Sequence, residues 1–168
     1  VRVSPQEHSA LLERNLRALA HAGSDLAERL TWPMLGTHLA RSPAGQLLRK
    51  GMPISLPAEE VQATAEEIAG DGPLALLGLG DAELIAPLLE QSEHPLIVWE
   101  RDPWVVRSAL ATHDFSEALA SGRLSLALGV DLLELLARKP APRFAWHPLA
   151  RASYALEAEL VSSASAGL

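Results

Sequence analysis

The stretch Leu74-Ala75-Leu76-Leu77-Gly78-Leu79-Gly80-Asp81-Ala82 decides the architecture. Four consecutive apolar residues read as a strand covered on both faces, which is how the inner strands of a parallel sheet are placed. Glycines directly behind such a strand read as a tight turn into a helix whose first N–H groups are free. Asp71-Gly72-Pro73 separates the run from whatever precedes it.

Toward the C-terminus the same unit recurs. A helix is expected over Ala82 to Gln91, a strand over Pro95 to Trp99 and a helix over Pro103 to Ala111. Asp114 then caps a short helix that Gly122 ends, and Leu124 to Leu128 makes a third strand. Asp131 opens a helix to Ala137, Pro140 and Pro142 break it, Arg143 to Trp146 makes a fourth strand, and a last helix covers Leu149 to Val161. Short apolar runs alternating with helix-length segments are the mark of βαβ units. The expected fold is therefore α/β: a Rossmann-like three-layer sandwich with a mostly parallel sheet and an N-terminal helical segment. Right-handed crossovers bring the carboxyl ends of all strands to one rim, where ligands of such sheets bind.

Toward the N-terminus, Ser4, Pro5 and Glu7 form a helix start with a capping box, and Leu11, Leu12, Leu16 and Leu19 recur at helical spacing up to a stop at Gly23. Ser24 caps a second helix through Leu26 and Leu30, ended by Pro33. Thr37 to Ala40 and Gln46 to Leu48 read as short strands around Ser42-Pro43-Ala44-Gly45, and a helix is expected over Ala58 to Ala69. We divide the chain into residues 1–57, helical and irregular and packed on the core, and 58–168, the Rossmann-like unit. A start at Val1 and a small-residue end from Ser162 lead us to expect a domain cut from a longer protein.

Composition narrows the function classes. A hydrophobic content of 48% over 168 residues supports one real core. A net charge of −7, with no run among the 14 Lys and Arg residues, argues against nucleic acid or an anionic membrane as partner. There are no cysteines, which excludes disulfides, thiolate metal sites and Cys nucleophiles. No apolar stretch approaches the roughly 20 residues needed to span a bilayer, and a cytoplasmic setting is expected. His8, His21, His38, His94 and His113 show no metal-ligand spacing.

Four places at the expected rim could carry chemistry. Gly78 and Gly80, with Asp81, form the first turn, where the backbone can approach a ligand; the same turn also serves with no ligand at all. A dinucleotide fingerprint would need glycine at position 83, where Glu83 stands and would compete with a phosphate for the same donors. The loop resembles instead the Gly-x-Gly-x-Gly turn of S-adenosylmethionine-dependent methyltransferases, with Ala82 for the last glycine and Leu76 where those enzymes carry an acid. Glu100, twenty positions beyond Gly80, stands where nucleoside-binding domains hold a ribose diol; it could equally pair with Arg101 or Arg107, or cap the next helix. Asp131 is a third polar group at the rim and a good helix cap. His147 and Arg151 after the fourth strand offer a base and an anion clamp for a substrate, or else a loop histidine satisfied by backbone. Trp99, Trp104 and Trp146 could stack on a base or pack in the core.

Taken in order, Leu76-Leu77-Gly78-Leu79-Gly80, Val98-Trp99-Glu100-Arg101-Asp102-Pro103, Asp114-Phe115-Ser116 and His147-Pro148-Leu149-Ala150-Arg151 resemble the N-terminal region of bacterial CgeB-like (spore-maturation) and Maf-type (flagellin-modification) glycosyltransferase proteins. Asn15-Leu16-Arg17-Ala18-Leu19 is similar to their opening helix. The resemblance implies a methyltransferase-like Rossmann domain that precedes a glycosyltransferase or pterin-kinase-like module, and it carries over no catalytic residue. The expected function is an accessory or nucleotide-like-ligand-binding domain that does not catalyse alone. Its ligand would be a nucleotide sugar or S-adenosylmethionine, its partner the downstream domain of the same protein, and no metal is expected. A methyltransferase using Gly80, Glu100 and Asp131, and a purely structural interaction module, are the alternatives.

Overall fold

The computed structural model describes residues 4–31 and 38–166. In chain order the elements are α1 (Pro5–His21), α2 (Leu26–Thr31), β1 (Leu39–Arg41), β2 (Leu47–Arg49), β3 (Met52–Pro53), α3 (Ala58–Ile68), β4 (Leu74–Leu77), α4 (Ile85–Gln91), β5 (Leu96–Glu100), α5 (Pro103–Thr112), α6 (Ser116–Ser121), β6 (Leu124–Leu128), α7 (Asp131–Leu136), β7 (Arg143–Trp146) and α8 (Ala155–Ala166). Four of the strands form one parallel sheet in the order β6-β5-β4-β7. The chain is thus a Rossmann-like α/β three-layer fold.

Alternation along the strands splits the core in two, because successive side chains of a strand point to opposite faces. Leu74, Leu76, Leu96, Val98 and Leu124 face a large cluster that includes Leu84, Ile85, Leu88, Val105, Val106, Leu110 and Leu119. Ala75, Leu77, Ile97 and Trp99 face a smaller one closed by Leu132, Leu135, Tyr154 and Val161. Every residue of the inner strands β4 and β5 is buried. The N-terminal residues share this interior, since Leu19, Leu26, Leu30, Leu47, Ile54 and Leu56 belong to the same cluster as Leu76 and Val98.

Helix α1 starts as its sequence dictates: the Ser4 hydroxyl accepts the Glu7 N–H at 3.2 Å and the Glu7 carboxylate accepts the Ser4 N–H at 2.7 Å. Ser24 accepts the Leu26 N–H at the start of α2, while Thr37 and Pro33 lie outside the described residues. The expected hairpin forms as β1 and β2 around Gly45, and a third strand, β3, adds to it across Lys50-Gly51. Both of these residues have positive φ, 51° and 79°, the conformation a two-residue hairpin turn needs.

Two helices begin later than expected. α4 starts at Ile85, because Ala82 takes a φ of 62° and the chain from Asp81 to Leu84 stays in a turn. α8 starts at Ala155, because successive turns from Leu149 to Tyr154 fold the chain back against β4 and β5. At Ser116, α6 begins two residues after Asp114, whose carboxylate accepts the Ser116 N–H at 3.1 Å.

Candidate functional site

The parallel register puts the ends of β4, β5, β6 and β7 on one rim, so Gly78, Gly80, Asp81, Glu100, Asp131 and His147 all lie there. The first turn is tightly closed. Gly78 has φ 97°, and a Cβ built on it would lie 2.3 Å from the Ala150 Cβ; a Cβ on Gly80, φ 59°, would lie 2.7 Å from both the Glu83 carboxylate and the His147 Nε2. Both glycines are therefore demanded by packing and by backbone conformation.

The donors of that turn are engaged by the chain itself. The Gly78 N–H donates to the Trp99 carbonyl (2.8 Å) and the Ala82 N–H to the Leu79 carbonyl (3.0 Å). The Leu79 N–H donates to Glu100 Oε1 (3.1 Å) and the Asp81 N–H to Glu83 Oε2 (2.8 Å). The Asp81 carboxylate is held by both terminal nitrogens of Arg41, at 2.7 and 3.0 Å. A phosphate approaching this turn meets three carboxylates, Asp81, Glu83 and Glu100, and none of these four N–H groups.

His147 is the reason Glu83 stays in place. It is fully buried, its Nδ1 accepts the Leu149 N–H at 3.1 Å, and its Nε2 lies 2.5 Å from Glu83 Oε1, which also accepts the Leu56 N–H at 2.9 Å. With Nδ1 an acceptor, the proton resides on Nε2 and points at Glu83. Burial pushes the Glu83 carboxyl up, but the hydrogen bond from His147 and those from backbone N–H groups such as that of Leu56 outweigh it and hold it below its ordinary value. His147 thus ties the end of β7 to the first turn and to the chain before α3. Arg151 is exposed, its carbonyl accepts the Tyr154 N–H, and its side chain makes no hydrogen bond or ion pair with His147, so the two groups read together in the sequence are not joined.

Glu100 is buried, 3% exposed, and pairs with neither Arg101 nor Arg107. Its Oε2 accepts the Asp102 N–H at 2.8 Å and the Tyr154 hydroxyl, so the protein satisfies both its oxygens. Tyr154 in turn accepts from Arg49 Nη1 at 2.6 Å. Burial and the Glu100 charge push the Tyr154 hydroxyl well above its ordinary value, keeping it a neutral donor. Burial works against the charge on Arg49, but Tyr154, Glu100 and Asp102 outweigh it. Asp102, at 3.6 Å from Arg49, accepts the Trp104 N–H at 3.0 Å as the cap of α5 and lies 2.6 Å from His38 Nε2.

This network backs an open cleft of about 830 Å³. Arg49, Lys50, Arg101, Asp102, His38 and Leu149 are among its lining residues. It lies between the β2–β3 hairpin, the start of α5 and the turn before α8, outward of Glu100. The volume is in the range of small-molecule sites, roughly 300–1,000 Å³. The sequence assigns no role to Tyr154 or Arg49, and of His38 it shows only the lack of metal-ligand spacing. Tyr154 is the single tyrosine in the chain, and a lone phenol just after a strand-end His-Pro was the available signal. Asp102 before Pro103 was a legible cap.

Asp131 lies apart. Its carboxylate accepts the Leu128 N–H (2.9 Å) and pairs with Arg29 (2.8 Å), tying β6 to α2. It is the first residue of α7 and gives no capping bond to that helix. Trp99 is fully buried, donates to the Gly129 carbonyl, and packs edge-on against Trp146 and Tyr154. Among the described residues no group of three or more His, Asp or Glu side chains could hold a metal ion, and no helix is long and apolar enough to cross a membrane.

A parallel sheet with β4 and β5 at its centre, layered by helices and with its first glycine turn at the carboxyl rim, defines the class: a Rossmann-like domain of the kind that places ligands at that rim. A solved structure that shares the fold is that of the MAf glycosyltransferase from Magnetospirillum magneticum AMB-1, with a TM-score of 0.65 and 14% sequence identity over 94% of this chain. The match covers 35% of that protein, so this chain spans about a third of its length. No family model and no curated protein matches the sequence.

Proposed function

We propose that this chain is a ligand-holding accessory domain of a bacterial glycosyltransferase-type protein, of the Maf type or the CgeB-like group that its motifs resemble, and that it does not catalyse by itself. The observation that carries the reading is the cleft of about 830 Å³ at the carboxyl rim of the sheet. The shared fold with a glycosyltransferase of known structure supports the context. The ligand is nucleotide-like, and the cleft outside Glu100 receives it. Behind it, Gly78 and Gly80 shape the closed first turn, and Glu100 holds the buried Tyr154, which in turn holds Arg49 in the cleft lining. Asp131 braces the neighbouring strand end. The partner is a further domain of the same protein, and the setting is cytoplasmic.

Calorimetry on the 168-residue chain with uridine, nucleotide sugars and S-adenosylmethionine tests this. Saturable heat with a nucleoside or nucleotide sugar supports it. Heat with S-adenosylmethionine alone replaces it with the methyltransferase reading, and silence from every compound leaves a scaffold.

A further inference from the structure

In a glycine-turn domain the phosphate of a ligand ordinarily rests on the first turn, against its N–H groups. Here Glu83 and Glu100 hold two of those donors and turn negative charge toward the place a phosphate would take. Arg41, the positive group at the turn, is engaged by the Asp81 carboxylate, and Arg49, Arg101 and Lys50 lie toward the cleft. Arg49 lies at the back of the cleft, only 14% exposed in its side chain and already held by Tyr154 and Asp102. Arg101 projects over the same ring, its guanidinium 4.4 Å from the Tyr154 centroid, half exposed. Its ion-pair contact among the described residues, to Glu157, is a long one at 3.4 Å, which leaves most of its five donors open. Lys50 stands at the hairpin tip in a left-handed conformation, exposed and without an ion-pair partner among the described residues.

Resting on the proposal that the cleft holds a ligand, we infer that it takes a phosphate-bearing one with its charge reversed in position: the phosphate lies outward, between Arg101 and Lys50, and the glycine turn never touches it. Arg49 is the fixed counter-charge behind this pair, and Asp102 sets the edge beyond which an anion is repelled. A guanidinium presents a planar fork that matches phosphate oxygens, and an ammonium adds a mobile point charge. The stacking of Arg101 on a buried phenol holds that fork without a strong competing acid.

The test is a titration of the ¹⁵N-labelled chain with inorganic pyrophosphate, followed by amide shifts. Saturable shifts at residues 49–52 and at Arg101 and Asp102 are expected, with Leu79, Gly80 and Asp81 still. Arg101→Gln and Lys50→Gln should each weaken pyrophosphate about tenfold, as loss of one charged hydrogen bond does. Shifts centred on residues 79–81, or no change in either variant, overturn the inference. Uridine binding that persists while pyrophosphate gives no shifts also overturns it, yet leaves the proposed function standing; failure of both removes the two together.

Discussion

Gly78→Ala is the sharpest perturbation available, because the structure gives its geometry in full. The new Cβ would sit 2.3 Å from the Ala150 Cβ and 3.2 Å from the His147 Cβ. Carbon atoms pack at about 3.5–4.0 Å, so the two segments must part by more than an ångström, and a methyl has no rotamer with which to yield. Forced overpacking of this kind costs about 1–3 kcal/mol. A φ of 97° adds its own penalty for alanine, and left-handed backbone costs a non-glycine residue about 1–2 kcal/mol. The sum, about 2–5 kcal/mol, corresponds to a fall in Tm of roughly 5–15 °C for a domain of this size. Urea unfolding followed by tryptophan fluorescence, to which buried Trp99 contributes, measures it. Ala150→Gly removes the obstructing methyl, so Gly78→Ala/Ala150→Gly should be about 1–3 kcal/mol more stable than additivity predicts. A Gly78→Ala protein within 2 °C of the parent, roughly the effect of 1 kcal/mol or less, or a double variant with no coupling, would refute the claim that this glycine is set by packing.

Two further outcomes are expected. Asn15→Ala removes a fully buried amide that donates to the Leu110 and His113 carbonyls and accepts the Phe115 N–H; it should cost about 2–4 kcal/mol in urea unfolding and speed hydrogen exchange at Phe115. For Glu83 the folded carboxyl titrates below its ordinary value of 4.5. The unfolded chain then binds the proton first, so this group's stabilisation is complete above that value and is lost as pH falls through the folded one. Glu83→Gln should flatten the acid limb of a stability profile taken from pH about 6 to 2 and lower stability at neutral pH by roughly 1–3 kcal/mol; an unchanged acid limb would contradict the pairing with His147.

The architecture was legible wherever periodicity or turn chemistry acts over a few residues. The strands Leu74–Leu77, Leu124–Leu128 and Arg143–Trp146 fall on the expected residues, and the Ser4 capping box forms. The late starts of α4 and α8 were not legible, since both are imposed from a distance: Glu83 is drawn to His147, 64 positions on, and Tyr154 to Glu100, 54 positions back. β3 was hidden by Pro53, which reads as a breaker but serves at a strand end. The rim positions of Gly78, Gly80, Glu100 and Asp131 followed from the βαβ pattern alone. What each side chain does there did not, because hydrogen-bond partners such as Arg49 and Arg29 come from parts of the chain with no periodic relation to the sheet.

The acid and imidazole lodged behind the first turn also make that turn self-locking. Replacing the acid alone strips a sealed histidine of its acceptor and leaves the Leu56 and Asp81 amides unanswered; replacing the histidine alone leaves a largely buried carboxylate without its side-chain donor. Either single step lowers stability before any anion can enter, so drift toward a phosphate-cradling turn has no gradual path. Chemistry can then diversify more readily on the outer wall, where side chains such as Arg101 are half exposed.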